Sequence, residues 1–511
     1  MVAKESNIKL VMAGLLLGIL MASMDNTIVA TAMATIVSDL GGLDKFVWVT
    51  SAYMVATMAG MPIFGKLSDM YGRKRFYLFG LIVFTIGSIL CGTADSITEL
   101  SIFRAIQGIG GGALMPIAFT IIFDIFPPEK RGKITGLFGA VFGTSSIFGP
   151  LLGAVITDTI SWHWIFYINV PIGIISLLFI TFYYKETAVH SKQKIDWGGA
   201  ITLVISVVAF MFALELGGKE YPWLSPQIIG LFSCFIFFLI LFVFFERKAA
   251  EPIIAFHLFK KRLFATSQAT AFFYGGVFVI GTVYMPLYIQ AVFGGSATNA
   301  GLVLMPMMLG SVFGSQFAGF LTTKTSYRNI MILSASFFLT GVILLGSLTV
   351  ETPRLVVTIF MIILGIGVGH SFSLLSLSTV HNLDAHYRGA ANSTNSFFRS
   401  LGMTLGITIF GSIQSKILSS KLDGAMNGTN LGSGNEIDPR LLLTGANNES
   451  IPLEVMEKIQ EAFSLSVSHT FLWAIIPAVM GVVSIVLMPK DRLIPKKAFE
   501  KQKTKPVNVN H

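Results

Sequence analysis

Gly65-Lys-Leu-Ser-Asp-Met-Tyr-Gly-Arg-Lys-Arg75 joins two apolar runs, 46–66 and 76–94, each long enough to cross a bilayer as a helix. The connector places Lys66, Arg73, Lys74 and Arg75 beside a single acid, Asp69. It is too short to hold a domain, and its charge is that of a loop kept on the cytoplasmic side. Gly65 and Gly72 allow a tight turn and close helix approach. Asp69 and Arg73 can make charge-assisted contacts with a neighbouring helix end, and Asp124, just past the apolar run 98–123, is the natural partner for Arg73.

The rest of the chain repeats this alternation. Of 511 residues 53% are hydrophobic and 12% charged, with a mean hydropathy of +0.73. Soluble domains carry roughly 25% charged residues, so the chain is an integral membrane protein. The net charge of +9 sits in short loops between apolar runs, which speaks for membrane topology and against nucleic acid. The first apolar run is too long for a cleavable signal and reads as a spanning helix. Cys91 and Cys234 lie within apolar segments and support neither a disulfide framework nor a metal site. No phosphate-binding loop and no His/Cys ligand cluster is present, so neither ATP-driven work nor enzyme chemistry is expected.

Fourteen spans are expected, near 8–36, 46–66, 76–94, 98–123, 132–157, 163–184, 197–217, 226–245, 264–291, 298–322, 329–349, 353–380, 389–418 and 468–489. Most Lys and Arg fall in alternate loops, among them Lys130, Arg131 and Lys133, and Arg247 to Arg262, which puts both termini in the cytoplasm. The six Trp fall near span ends, as an interfacial belt requires. The one long connector, 419–466, is polar, external and expected to hold a short helix at Leu453–Phe463.

The chain also resembles itself. Gly108-Ile-Gly-Gly-Gly112 matches Gly365-Ile-Gly-Val-Gly369 at an offset of 257, which also carries Arg131-Gly132 onto Arg388-Gly389. An offset of 254 carries Gly60 and Gly65 onto Gly314 and Gly319. The expected organisation is therefore a six-helix bundle over 1–190, two inserted helices over 191–250, and a second bundle from 251–418 plus 467–489. The connector 419–466 and a basic tail, 490–511, complete the chain. Parallel six-helix halves are the architecture of transporters whose sites lie between the halves near the bilayer midplane. The repeat is broken at its charges: Asp25 maps onto Thr282 and Arg104 onto Met361. An acid at membrane depth costs roughly 2.5–3.5 kcal/mol on insertion scales. Asp25 and Arg104 lie at overlapping depths on antiparallel helices and can pair.

The Gly65–Arg75 loop has the form G-x-L-x-D-x-x-G-R-K, the signature of the major facilitator superfamily. Arg104-Ala-Ile-Gln-Gly-Ile-Gly is similar to that family's R-x-x-Q-G-x-G motif. Gly139 to Gly153, with Gly143, Gly149, Pro150 and Gly153, resembles the antiporter motif of drug exporters. Together with Trp162-His-Trp-Ile-Phe-Tyr-Ile-Asn-Val-Pro-Ile-Gly173 it looks like the 14-helix drug/proton antiporters, and the resemblance covers essentially the whole chain. Met24-Asp25-Asn26-Thr27 falls on the family's first-helix motif, although the Pro that usually ends that helix is absent from Ala34-Thr35-Ile36.

The resemblance implies an all-α major facilitator fold of two six-helix bundles plus two inserted central helices, acting in the cell membrane as a monomer. It implies export of lipophilic, often cationic drugs in exchange for protons, with the proton gradient as energy source and no cofactor. Asp25 and Arg104 would couple the proton; Gly65, Asp69, Gly72, Arg73 and Asp124 would form a conformational latch. Asn26, Tyr53, Gln107, Tyr284, Gln290, His370, Asn392 and Asn395 are the candidate polar groups of the drug cavity. Glu215 and Arg399 stand between an interfacial and a cavity role. An exporter or symporter dedicated to one metabolite or antibiotic is the alternative.

Overall fold

In lipid every backbone N–H and C=O needs an internal partner, which leaves an apolar chain of this length the choice of helices or a closed barrel. The computed structural model describes residues 6–41, 45–186, 195–218, 220–293, 297–426 and 453–493, and these are helical almost throughout. Most of the basic tail (494–511) and the middle of the long connector (427–452) lie outside the described residues.

The first half comprises α1 (Ile8–Leu40), α2 (Val47–Tyr71), α3 (Arg73–Cys91), α4 (Ile97–Ile125) and α5 (Pro128–Thr159). A one-turn α6 (Trp164–Tyr167) leads into α7 (Asn169–Tyr183), and the two together make the sixth span. The inserted pair is α8 (Trp197–Leu216) and α9 (Pro226–Lys248). The second half holds α10 (Arg262–Phe293), α11 (Ala297–Leu321), α12 (Tyr327–Leu345), α13 (Arg354–Thr379), α14 (Arg388–Met426) and α15 (Leu453–Val486). Thirteen described segments are long and apolar enough to cross a membrane. The 25-residue α2 is not among them; it lies at the position of the second expected span and holds Lys66, Ser68 and Asp69 in its last turns. The chain is a multi-pass membrane protein.

Polar caps mark where helices meet water. Ser96 accepts from the Glu99 amide while Glu99 accepts from the Asp95 amide, a reciprocal cap at the start of α4. Asp196, Ser225 and Ser326 cap α8, α9 and α12 in the same sense. The helix ends run past the expected span at α1 and correct the sequence reading at the long connector. α1 runs unbroken for 33 residues, about 50 Å at 1.5 Å per residue, as its lack of an internal Pro allows. The short helix expected at Leu453–Phe463 is the first part of α15, and α14 continues to Met426, so the connector expected over 419–466 is helical at both ends. Leu418 and Leu422 bury against Ile459, Ala462 and Phe463, and this apolar contact extends both helices past the bilayer.

The two halves meet along two seams related by the internal repeat. In one, α2 lies on α14: a Cβ at Gly389 would come within 2.6 Å of the Gly65 carbonyl oxygen. In the other, α5 lies on α11, and Gly132 and Gly319 touch backbone to backbone. Gly319 is the repeat counterpart of Gly65 and Gly389 that of Gly132, so the pairs are exchanged by a pseudo-twofold axis. Both contacts sit at the face carrying the basic loops, so the halves are closed together there.

The inserted helices lie on the flank of this assembly. α8 covers the α2–α14 seam, burying Leu203, Val207 and Met211 against Met58, Ala59 and Phe397, with Trp48 against Phe212 at 4.8 Å. α9 packs on α8 and exposes Ile229, Ile236, Phe237 and Ile240 outward, where lipid is their solvent.

Candidate functional site

Asp25, in the middle of α1, is fully buried and paired with Arg104 of α4, itself 0% exposed. The pair is embedded in a closed polar cluster. Arg104 Nε donates to the Val49 carbonyl at 3.1 Å, and its Nη1 also donates to Gln107 Oε1 at 2.6 Å. Gln107 Nε2 donates to Asp25 Oδ1 at 2.7 Å and to Ser88 Oγ at 2.8 Å. Asn169, the first residue of α7, donates from Nδ2 to the same Asp25 oxygen at 3.1 Å. The Tyr53 ring lies 4.2 Å from the Arg104 guanidinium carbon. Five helices, α1 to α4 and α7, each send a side chain here. Close approach makes this possible: a Cβ at Gly87 would come within 2.6 Å of Gln107 Cα, so a larger residue there would wedge α3 off α4.

The second cluster is at the basic face. Asp69 is buried and accepts the backbone N–H groups of Gly389 at 2.9 Å and Ala390 at 2.8 Å. A carboxylate from the first half thus caps the N-terminus of α14, where the helix dipole favours it. Arg73 pairs with Asp124, donates to Asp69 at 3.3 Å, and donates to the Ala385 carbonyl at 2.6 Å. Arg388 reaches Asp124 from the second half at 3.2 Å. Glu251, in the link after α9, accepts from Lys66 at 2.6 Å and from His386 at 3.1 Å. Burial pushes the Glu251 carboxyl up, and the hydrogen bonds from Lys66 and His386 outweigh that and hold it below the usual range. The latch residues named from the sequence lie here; Arg388 was named only as the repeat match of Arg131, and His386 and Glu251 were not singled out.

α5 touches the acid-bearing helix on one side and the second half on the other. Its Gly143 packs on Val312 and Met308 of α11, whereas Gly149 and Gly153, around Pro150, pack on Thr27, Ile28 and Thr31 of α1. Ser145 bonds Ser23 at 2.6 Å, and Thr27 donates to the Ser145 carbonyl at 3.2 Å. One helix therefore ties the acid-bearing α1 to the second half.

Residues 15–407 match the family model "Major Facilitator Superfamily". The chain belongs to this superfamily. It is 60% identical over 496 residues, 96% of its length and 97% of the relative's, to "Multidrug resistance protein 3" of Bacillus subtilis (strain 168). It is 38% identical to "Multidrug transporter protein MdtP" of the same organism over 82% of this chain and 78% of that one. Among solved structures, the proton:xylose symporter XylE is similar at a TM-score of 0.59 over 97% of this chain and 98% of that one, with 14% identity. The human organic anion transporter MFSD10 is similar at 0.61 over 92% and 99%, with 15% identity. These two show the fold alone.

Within this superfamily fold the eight polar residues expected to line one drug cavity do not gather. Tyr53 and Gln107 belong to the Asp25 cluster. His370 is buried inside the second bundle, beside Phe317 and Phe337, with Nδ1 bonded to the Ile366 carbonyl at 2.7 Å. Asn392 donates to Thr120 across the closed seam at 3.3 Å, and Asn395 donates to Gln268 at 3.2 Å. Tyr284 is buried, Gln290 half-buried and Asn26 exposed. Helical position gave their depth but not which way each one faces. Ser88 and Asn169 complete the Asp25 cluster and were missed. The only signal was for Asn169, which stands within the run Trp162–Gly173.

Proposed function

We propose that the chain is a proton-coupled multidrug exporter of the cytoplasmic membrane. It works as a monomer with both termini in the cytoplasm and uses the proton gradient in place of any cofactor. The observation that carries the reading is the caged acid: Asp25 takes Arg104 on one carboxylate oxygen and Gln107 and Asn169 on the other. The names of the two Bacillus relatives support drugs as the cargo, and the antiporter-like α5 supports export.

All three groups around Asp25 donate hydrogen bonds, so the cage suits a carboxylate and offers an acid proton no acceptor. Asn169 Oδ1 is buried and has no partner among the described residues. A half-turn of that amide exchanges a donor for an acceptor, so a protonated Asp25 can be held in the same place. Arg104 then loses its counter-charge and stays on the Tyr53 ring and the Val49 carbonyl. Proton arrival thereby loosens α1 from α4, and α5, joined to α1 at Gly149 and Gly153, passes the change to the second half. Proton and drug can then exchange without touching.

A resistance panel in a pump-deficient host tests the reading, wild type beside Asp25→Asn. In everted vesicles the wild type takes up a lipophilic dye on acidification, and Asp25→Asn does not. Proton-dependent extrusion by Asp25→Asn would sink the mechanism.

A further inference from the structure

Arg399 of α14 has no opposite charge beside it among the described residues. It lies seven residues beyond Asn392, about 10 Å further from the basic face along the helix. Asn392 contacts Thr120 of α4, so this side of α14 looks across at the first half. The Arg399 guanidinium lies over the Phe372 ring at 4.6 Å, and Nη2 makes one long hydrogen bond, 3.5 Å, to the Ser371 carbonyl. Phe372 is itself stacked on Phe142 of α5 at 5.9 Å and meets Phe278 of α10 edge-on at 5.5 Å. Phe142 comes from the first half; Phe278, Phe372 and Arg399 come from the second. All four are half-buried, and the Phe142–Phe372 stack joins the two halves here.

The contrast with Arg104 gives this position its meaning. Both are guanidiniums deep in spanning helices, where a charge is costly and marks a functional site by default. Arg104 meets Asp25, Gln107 and a carbonyl. Arg399 has no carboxylate acting on it among the described residues, and its fork of donors is nearly unused. A planar cation over one ring of a three-phenyl cluster is complementary to a flat aromatic body bearing a carboxylate: the rings take the body and the fork takes the acid.

We propose that Arg399 is a specificity-determining residue that selects, among lipophilic cargoes, aromatic compounds carrying a carboxylate, zwitterions included. The assignment rests on the exporter reading above and names part of its substrate class. Cations lacking an acid bind to the same rings without using Arg399.

Rhodamine B, which has a free carboxyl, and its ethyl ester form a matched pair of probes. Their binding to the purified full-length protein in lipid nanodiscs is read by fluorescence polarisation against empty discs. The wild type should hold the free acid about tenfold more tightly than the ester, the scale of a charge-assisted hydrogen bond. Arg399→Gln should bring the acid down to the affinity of the ester and leave the ester unchanged, which also shows that the variant is folded. Arg399→Lys should keep part of the preference. An intact preference in Arg399→Gln, or an equal loss for both probes, would overturn the assignment. A wild type that binds the ester without preferring the acid would overturn it alone; one that binds and exports neither would overturn the exporter reading as well.

Discussion

The two halves of this transporter are built by the same packing and differ in what that packing encloses. Gly87 brings α3 onto the backbone of Gln107; its counterpart Gly341 brings α12 onto the backbone of Leu364, 2.7 Å from where a Cβ would stand. The contact is the same, yet amide has become alkyl. Arg104 is matched by buried Met361, and Asp25 by Thr282, whose hydroxyl bonds the Val279 carbonyl of its own helix at 2.9 Å. The fold is satisfied by an apolar filling at these positions, so the charges in the first half serve something other than the fold. The same asymmetry recurs at the seams: Asp69 caps α14 across one, and Thr323 stands at the corresponding position of the other.

The largest effect is expected from making the first half half-way like the second. Arg104→Met leaves Asp25 buried without its counter-charge and should cost roughly 3–5 kcal/mol of stability. Adding Asp25→Thr, the residue of the second half, should recover most of that loss and leave efflux abolished. Thermal unfolding of the purified protein reads the first, and dye extrusion reads the second. A double variant as unstable as the single one would break the comparison. Next in size is Asp69→Asn, which keeps the shape but removes the charge from the α14 cap. A negative charge at a helix N-terminus is worth about 0.3–1 kcal/mol, so spin labels on the two halves at the basic face should show a wider-separated population, and unchanged distances would count against the latch. The smallest effect concerns Glu251. Its carboxyl is held below the usual range by Lys66 and His386, so the link is complete above the ordinary glutamate value. It is lost as pH falls through the depressed value. Glu251→Gln should remove this acid-range change in the label distances, and because the amide oxygen still accepts from the buried Lys66, neutral-pH efflux should change less than in Asp69→Asn.

Much of this was legible in the sequence because the membrane imposes a strict grammar. Fourteen crossings were expected from apolar length and thirteen described segments meet that measure; the two halves follow from repeated glycines, and the depth of Asp25 and Arg104 from counting residues. That the two pair had been left open by their spacing, and the structure closes it. What sequence did not give was azimuth. His370 and Asn395 are at cavity depth but face inward, into the second bundle. Ser88 is one hydroxyl among many small residues in apolar helices, and nothing in its neighbours distinguishes it. Glu251 sits in a loop 185 residues from Lys66, beyond the reach of any local pattern.

The flank position of α8 and α9 makes the two seams unequal to anything dissolved in the bilayer. On one side the inserted pair roofs α2 and α14 with a continuous apolar sheath. On the other, α5 and α11 meet the lipid directly, with Phe148, Leu309, Phe313 and Phe320 exposed along the line. A compound dissolved in the bilayer therefore meets one seam directly and the other only past α8, and the pair of helices that repeat symmetry does not need is what makes the molecule one-sided.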